Sequence, residues 1–239
     1  MAREFNGSSD KADSGLTAVK FGNPAALTVA IWAYRPTAPP GAQRLFDNGH
    51  TDSSKNGFQL FSTSTIGNIL FEVGNGTASA QIVLGSSFIA GVWTQITGIY
   101  DGSNVRLYAS GSTAASALTG TVGTADSSAA MGYAAQYNGD FFGGYLADAA
   151  IWNAALTPFE IAALVAGVRP SQIRRASLIG YWPLAGLQSP EPDLSGARNN
   201  VTLTGTQPVF GPPLLPQTRR WPQANEFLQP YTLMPQIVT

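Results

Sequence analysis

The residues able to break bonds are few in this chain of 239. Hydrolysis of a glycosidic bond needs two carboxyl groups held at a set separation. On a strand, alternation places carboxyls two residues apart on one face. The glutamates are Glu4, Glu72, Glu160, Glu191 and Glu226, and none begins a Glu-x-Asp-x-Glu or Glu-x-Asp-x-x-Glu run. Glu191-Pro-Asp193 is interrupted by proline, and Glu160 reads as a helix cap. His50 is the only histidine and cysteine is absent. Thiolate chemistry, disulfides and a Cys/His zinc site are therefore excluded. Asp47 and Asp52 flank His50, but no nucleophile elbow accompanies them. No phosphate-binding glycine loop occurs. The expectation is a protein that is not an enzyme.

Binding chemistry is better represented. Tyr133-Ala-Ala-Gln-Tyr-Asn-Gly-Asp-Phe-Phe142 gathers aromatic faces that stack on sugar rings with amides and a carboxylate that bond hydroxyls. Tyr133, Gln136, Tyr137, Asn138 and Asp140 are the candidate glycan ligands. The competing reading places Phe141 or Phe142 in the core and the tyrosines at a strand end. Calcium takes oxygen ligands from loops. Asp47 and Asp52 with Asn48, and Asp140 with Asn138, are candidate calcium loops, equally explained as turn-forming residues. No other cofactor is expected.

These groups need a scaffold, and short apolar runs between turn signals supply strands. They include Leu27–Tyr34, Gly57–Phe61, Ile69–Val73, Gln81–Leu84, Trp93–Tyr100, Val105–Ala109, Tyr145–Trp152, Leu178–Trp182 and Val201–Thr204. Asp101-Gly-Ser-Asn104 between two alternating runs marks a hairpin. Thr157-Pro-Phe-Glu160 is a capping box with proline at the first helical position. It opens a short helix with an Ile161/Leu164/Val165 stripe, stopped at Gly167 and expected at one end or edge of a sheet. From 207 prolines recur, yet Phe210, Leu214, Leu215, Trp221, Phe227, Leu228 and Tyr231 keep the segment apolar. Disordered linkers are poor in such residues, so 207–239 reads as an extended docking arm behind a 1–206 sandwich.

Composition bounds the partners. Only 11% of residues are charged and the formal net charge is −1, which gives no field to gather nucleic acid or acidic lipid. No apolar run is long enough to cross a bilayer. No secretory h-region follows Met1, so the expectation is a chain made and folded in a cytoplasm.

Ordered segments carry a family resemblance. They are Phe5–Asp10, Leu27–Trp32, Trp93–Tyr108, and Phe142–Asp148 with Ile151–Asn153 running into the capped helix. The set resembles the laminin-G-like jelly-roll family, the sandwich shared with concanavalin-type lectins and pentraxins. In that family an Asn-Gly follows the tyrosine strand; here Ser110-Gly111 stands in its place. The resemblance implies an all-β antiparallel jelly-roll β-sandwich with one short capped helix and the C-terminal arm. Segment 178–205 looks like an opening segment moved behind the helix. It is expected to pair beside the N-terminal strands and close the sheet, with closure of a neighbour's sheet as the rival arrangement.

The block from Phe142 through Tyr181-Trp-Pro-Leu184 is similar to laminin-G-like proteins encoded with bacteriophage virion genes. That implies a decoration protein assembled in host cytoplasm and displayed on the virion surface. It would be a homo-oligomer docked to capsid or tail proteins through the arm. The alternative is a carbohydrate-binding lectin module with no virion, whose partner is a cell-surface glycan.

Overall fold

The computed structural model describes residues 1–37, 41–49 and 54–214. Two short strands, β1 (Ala2–Asn6) and β2 (Lys11–Ser14), precede a one-turn helix α1 (Ala18–Phe21). Then come β3 (Leu27–Tyr34), β4 (Gln43–Asp47), β5 (Phe58–Ser62), β6 (Ile69–Gly74) and β7 (Ser79–Leu84). Strands β8 (Thr94–Tyr100), β9 (Asn104–Ala109), β10 (Ser112–Ala117), β11 (Ala130–Met131) and β12 (Gly143–Trp152) follow. Helix α2 (Pro158–Val165) and strands β13 (Leu178–Trp182), β14 (Val201–Thr204) and β15 (Gln207–Val209) complete the order.

Two antiparallel sheets face one another. Sheet A runs β10-β9-β8-β3-β12-β1-β15, and β13 joins it along β12; sheet B runs β14-β2-β11-β4-β5-β6-β7. Strand β12 is long enough to pair β1 through 143–146 and β13 through 149–152 on the edge opposite β3. The relocated segment therefore divides. Val201–Thr204 lies antiparallel to Lys11–Ser14, whereas Leu178–Trp182 joins β12 and not an N-terminal strand. The ladder also runs past 206, because Gln207–Val209 pairs with β1. Pro208 is tolerated there because an edge strand has a side that needs no donor.

The core between the sheets is aromatic and aliphatic, with Phe46, Phe58, Phe71, Ile31, Leu107 and Trp182 among its buried members. Phe46 meets Phe58 edge-on at 5.6 Å and Trp182 at 6.0 Å, the geometry that ring quadrupoles favour. Gly98 makes this packing possible. A Cβ built there would lie 2.5 Å from the Phe71 ring, so glycine on β8 lets the opposite sheet close down.

Thr157 caps α2 and forms the full capping box with Glu160, with Pro158 in the first turn. The helix lies on the outer face of sheet A, packed on Ala30, Ile99, Ala150 and Trp152, and not at an end or edge. Ile161 and Leu164 are buried while Val165 faces outward, so the buried stripe is narrower than the sequence pattern implies. Ser110 and Gly111 join β9 to β10 with φ of 48° and 77°. Positive φ at both central residues matches the twist of a two-residue hairpin. No helix among the described residues is long and apolar enough to cross a membrane.

Candidate functional site

The loop nominated by the sequence lies across the outer face of sheet B. Two of its residues, Tyr137 and Asp140, converge on Arg44 of β4. The Arg44 guanidinium Nε stands 3.3 Å from Asp140 Oδ2 and 3.8 Å from Asp47 Oδ2. Arg44 Nη2 donates to the Tyr137 hydroxyl at 3.1 Å, and that hydroxyl donates to Asp140 Oδ2 at 2.5 Å. The guanidinium also lies over the Phe61 ring, 4.1 Å from its centroid. Asn138 and Asp140 both have positive φ, which Asn and Asp tolerate best after glycine.

Tyr133 is buried. Its hydroxyl donates to Asp13 Oδ1 and its ring stacks on Phe141 at 6.0 Å. Gln136 donates to Ser127 Oγ at 3.3 Å. Burial raises the Tyr133 and Tyr137 hydroxyls above the ordinary range, helped by their bonds to Asp13 and Asp140. The Tyr137 ring is about half exposed, at 47%, and the Asn138 side chain is exposed as well. Tyr133 and Gln136 are bonded to groups outside the loop, and Tyr137 and Asp140 to each other.

Asp47 is 1% exposed. Burial pushes its carboxyl up to about 8, against the pull of the Arg44 charge, with the Asp140 charge adding to the rise. For calcium this arrangement is unsuited, since Asp47 and Asp140 already share the cation of Arg44. No group of three or more His, Cys, Asp or Glu among the described residues could hold a metal. His50 and Asp52 lie outside the described residues, as do Leu215, Trp221, Phe227, Leu228 and Tyr231 of the arm. Phe210 is fully described and 95% exposed, while Leu214 packs against Ala2, Trp32 and Ala147 on sheet A.

A second feature, absent from the sequence reading, covers the outer face of sheet A. Strand β3 alternates Ile31 and Ala33 inward with Trp32 and Tyr34 outward. The register then assembles neighbours from distant sequence: Tyr34 lies opposite Tyr145 of β12, and Trp32 opposite Gln95 of β8. The Tyr34 and Tyr145 rings stack at 5.1 Å with an interplanar angle of 4°. Trp93 leans on both, at 5.6 Å and 6.4 Å.

Two cavities flank Trp93. One, of about 480 Å³, is bounded by Trp32, Trp93, Gln95, Tyr108 and Thr113, with Ile161 and Val165 of α2 on its far side. The Ser110-Gly111 turn closes its rim. The other, of about 690 Å³, is bounded by Tyr34, Trp93, Tyr145, Val209 and Phe210. Both lie in the size range of small-ligand pockets.

The polar tips of these aromatics set them apart. Elsewhere among the described residues every tryptophan and tyrosine donates a hydrogen bond to the protein. Tyr100 donates to Gly120 O, Tyr133 to Asp13, Tyr137 to Asp140 and Tyr181 to Asp148. Trp152 donates to Ile173 O and Trp182 to Asn199 O. The indole N–H groups of Trp32 and Trp93 and the hydroxyls of Tyr34, Tyr108 and Tyr145 make no such bond within the described residues. Trp32 and Tyr34, two apart on one strand, are the only part of this pattern the sequence displays; the rest depends on strand order.

The family model described as the concanavalin A-like lectin/glucanases superfamily, Laminin_G_3, matches residues 6–162, more than half of the chain. No curated protein matches the sequence significantly. Among solved structures, a carbohydrate-binding module of the Ruminococcus gnavus IT-sialidase, bound to α2,3-sialyllactose, is similar at 16% identity and a TM-score of 0.54. That match covers 69% of this chain and 97% of the module. A candidate carbohydrate-binding protein from Bacteroides ovatus is 15% identical with a TM-score of 0.61, covering 87% of this chain and 59% of that one. Mouse laminin α1 domains LG4–5 are 14% identical with a TM-score of 0.51, covering 65% and 44%. At these identities the likeness is one of fold.

Proposed function

The chain belongs to the concanavalin A-like lectin/glucanases superfamily, and from that footing we propose that it is a carbohydrate-binding module. It holds sugar against the outer aromatic face of its eight-stranded sheet. The observation that supports this is the set of five outward aromatics whose polar tips find no partner among the described residues, on the face that carries both cavities. A pyranose ring offers an apolar C–H face and a rim of hydroxyls. Aromatic planes take the first, and indole, phenol, amide and hydroxyl groups take the second. Trp93 and Tyr108 with Ser112 and Thr113 supply both kinds of contact in one cleft, against a wall formed by Trp32 and Gln95.

The module binds and does not cleave. Glycoside hydrolysis needs two carboxyls across the scissile bond, and among the described residues no carboxyl side chain lines either cavity. Carbohydrate binding takes precedence over virion decoration. Two of the structures similar in fold, a sialidase's carbohydrate-binding module and the Bacteroides ovatus protein, carry carbohydrate binding in their descriptions, and the docking role rests on an arm most of which lies outside the described residues.

A glycan microarray followed by calorimetry on the best hits tests the reading. Binding that falls at least tenfold in Trp93→Ala, with thermal unfolding unchanged, supports it. Binding that survives Trp93→Ala and Tyr108→Ala unaltered refutes the placement. Release of new reducing ends on incubation with the bound glycan refutes the non-catalytic part.

A further inference from the structure

We infer that the ligand of this face is a neutral glycan several residues long, passing over Trp93 from one cavity into the other. The inference rests on the carbohydrate reading above and names its substrate class.

Length comes first. The free aromatics span four adjacent strands: Tyr108 on β9, then the Gln95 position on β8, Trp32 and Tyr34 on β3, and Tyr145 on β12. Three interstrand steps make a track of about 14 Å, wider than a single pyranose ring. Trp93 lines both cavities, so it divides one track into two seats and does not close either. The seats differ in chemistry. The first pairs aromatics with Gln95, Ser112 and Thr113 and can bond hydroxyls from several directions. The second presents the stacked Tyr34 and Tyr145 rings with apolar Val209 and Phe210. It suits a sugar held by its face more than by its rim.

Charge comes second. Among the described residues no Lys, Arg, Asp or Glu lines either cavity, and the terminal residue Met1 lies at the second. An acidic sugar carries a carboxylate, which is costly to desolvate without a cation or a cluster of N–H donors. Arg3 is paired with Glu191, Arg106 with Asp101 and Arg169 with Asp148, and Arg35, next to Tyr34, is buried and donates to Phe88 O. The charged side chain in register with Tyr145 is Glu4, an anion, and it is exposed. This face therefore offers no side-chain cation among the described residues to a sialic or uronic acid and suits neutral chains.

Calorimetry on the full chain provides the test. The neutral probes are cello-, xylo-, malto- and laminari-oligosaccharides of one to six residues; the anionic probes are 3′-sialyllactose and polygalacturonate. All are run at low and high salt. One neutral series should gain at least tenfold in affinity between monosaccharide and hexasaccharide, with little response to salt. Tyr145→Ala should erase the gain of the longer members, while Trp93→Ala should weaken every length. Tyr145→Phe, which keeps the ring, should retain most of the gain and guards against a folding artefact. A preference for the anionic probes that fades with salt overturns the inference alone. So does affinity independent of length, or a uniform loss in Tyr145→Ala. Absence of binding to every probe overturns it together with the carbohydrate reading.

Discussion

Replacing Asp47 by Asn removes a proton that the fold retains and the unfolded chain releases. Burial raises the Asp47 carboxyl to about 8, against about 3.9 for an aspartate in an unfolded chain. Between those values the folded state holds one proton more than the unfolded state, so stability falls as pH rises. The contribution is whole below about pH 4 and is lost as pH climbs through about 8. One proton gives a slope of about 1.4 kcal/mol per pH unit, on the order of 5 kcal/mol across the window at most. Asn keeps the shape and lacks the proton. In Asp47→Asn that share of the slope should vanish, so the variant gains on the parent between about pH 4 and pH 8, and the gain levels off above about pH 8. Urea unfolding followed by tryptophan fluorescence at pH 5, 6.5 and 8 measures the difference, in which the other titrating groups cancel. A variant that loses more at pH 8 than at pH 5 would show an ionised Asp47 paired with Arg44, and would refute the reasoning.

Three further outcomes can be checked by the same unfolding assay. Gly98→Ala drives a methyl into the Phe71 ring, whose atoms lie 2.5 Å from the built Cβ. It should cost about 1–3 kcal/mol, partly recovered when Phe71 is also shortened to Leu. Glu191→Ala leaves the buried Arg3 guanidinium without the carboxylate it meets at 2.8 Å and should cost about 3–5 kcal/mol. The double change Arg3→Met with Glu191→Leu should recover most of that, and equal losses in both would remove the ion pair as the cause. Thr157→Ala removes the cap of α2 and should cost about 1 kcal/mol. Because Pro158 and Ile161 line the cleft, sugar affinity should weaken with it.

Much of the scaffold was legible because its signals are local. Alternation marked the strands, Asp101–Asn104 marked the β8–β9 hairpin, and Thr157 to Glu160 marked the helix start. Where α2 sits was not legible, since nothing local says whether an amphipathic helix covers a sheet face or its edge. The Tyr133–Asp140 loop is legible as a gathering of aromatic and Asx residues, of which Tyr137 and Asp140 meet. Arg44 went unnoticed, since it is 93 residues from Tyr137 along the chain. Its charge turns the loop's polar groups inward. The aromatic face was invisible for a related reason. Trp93 meets Tyr34 and Tyr145 only through the order and register of three strands, and a residue's free hydroxyl cannot be read from its letter. The edge strand at 207–209 was hidden by Pro208, which suggests a broken ladder until the strand is known to lie at an edge.

The most direct test is to see where sugar lands. Backbone and tryptophan indole NMR shifts, recorded while the best-binding oligosaccharide is titrated in, resolve the two faces. The Trp32 and Trp93 indole signals should move together with residues around Tyr108 and Tyr145, while Arg44, Tyr137 and Asp140 stay fixed. Shifts centred on Tyr137 and Asp140 with both indoles unmoved would place the ligand on sheet B and contradict the account.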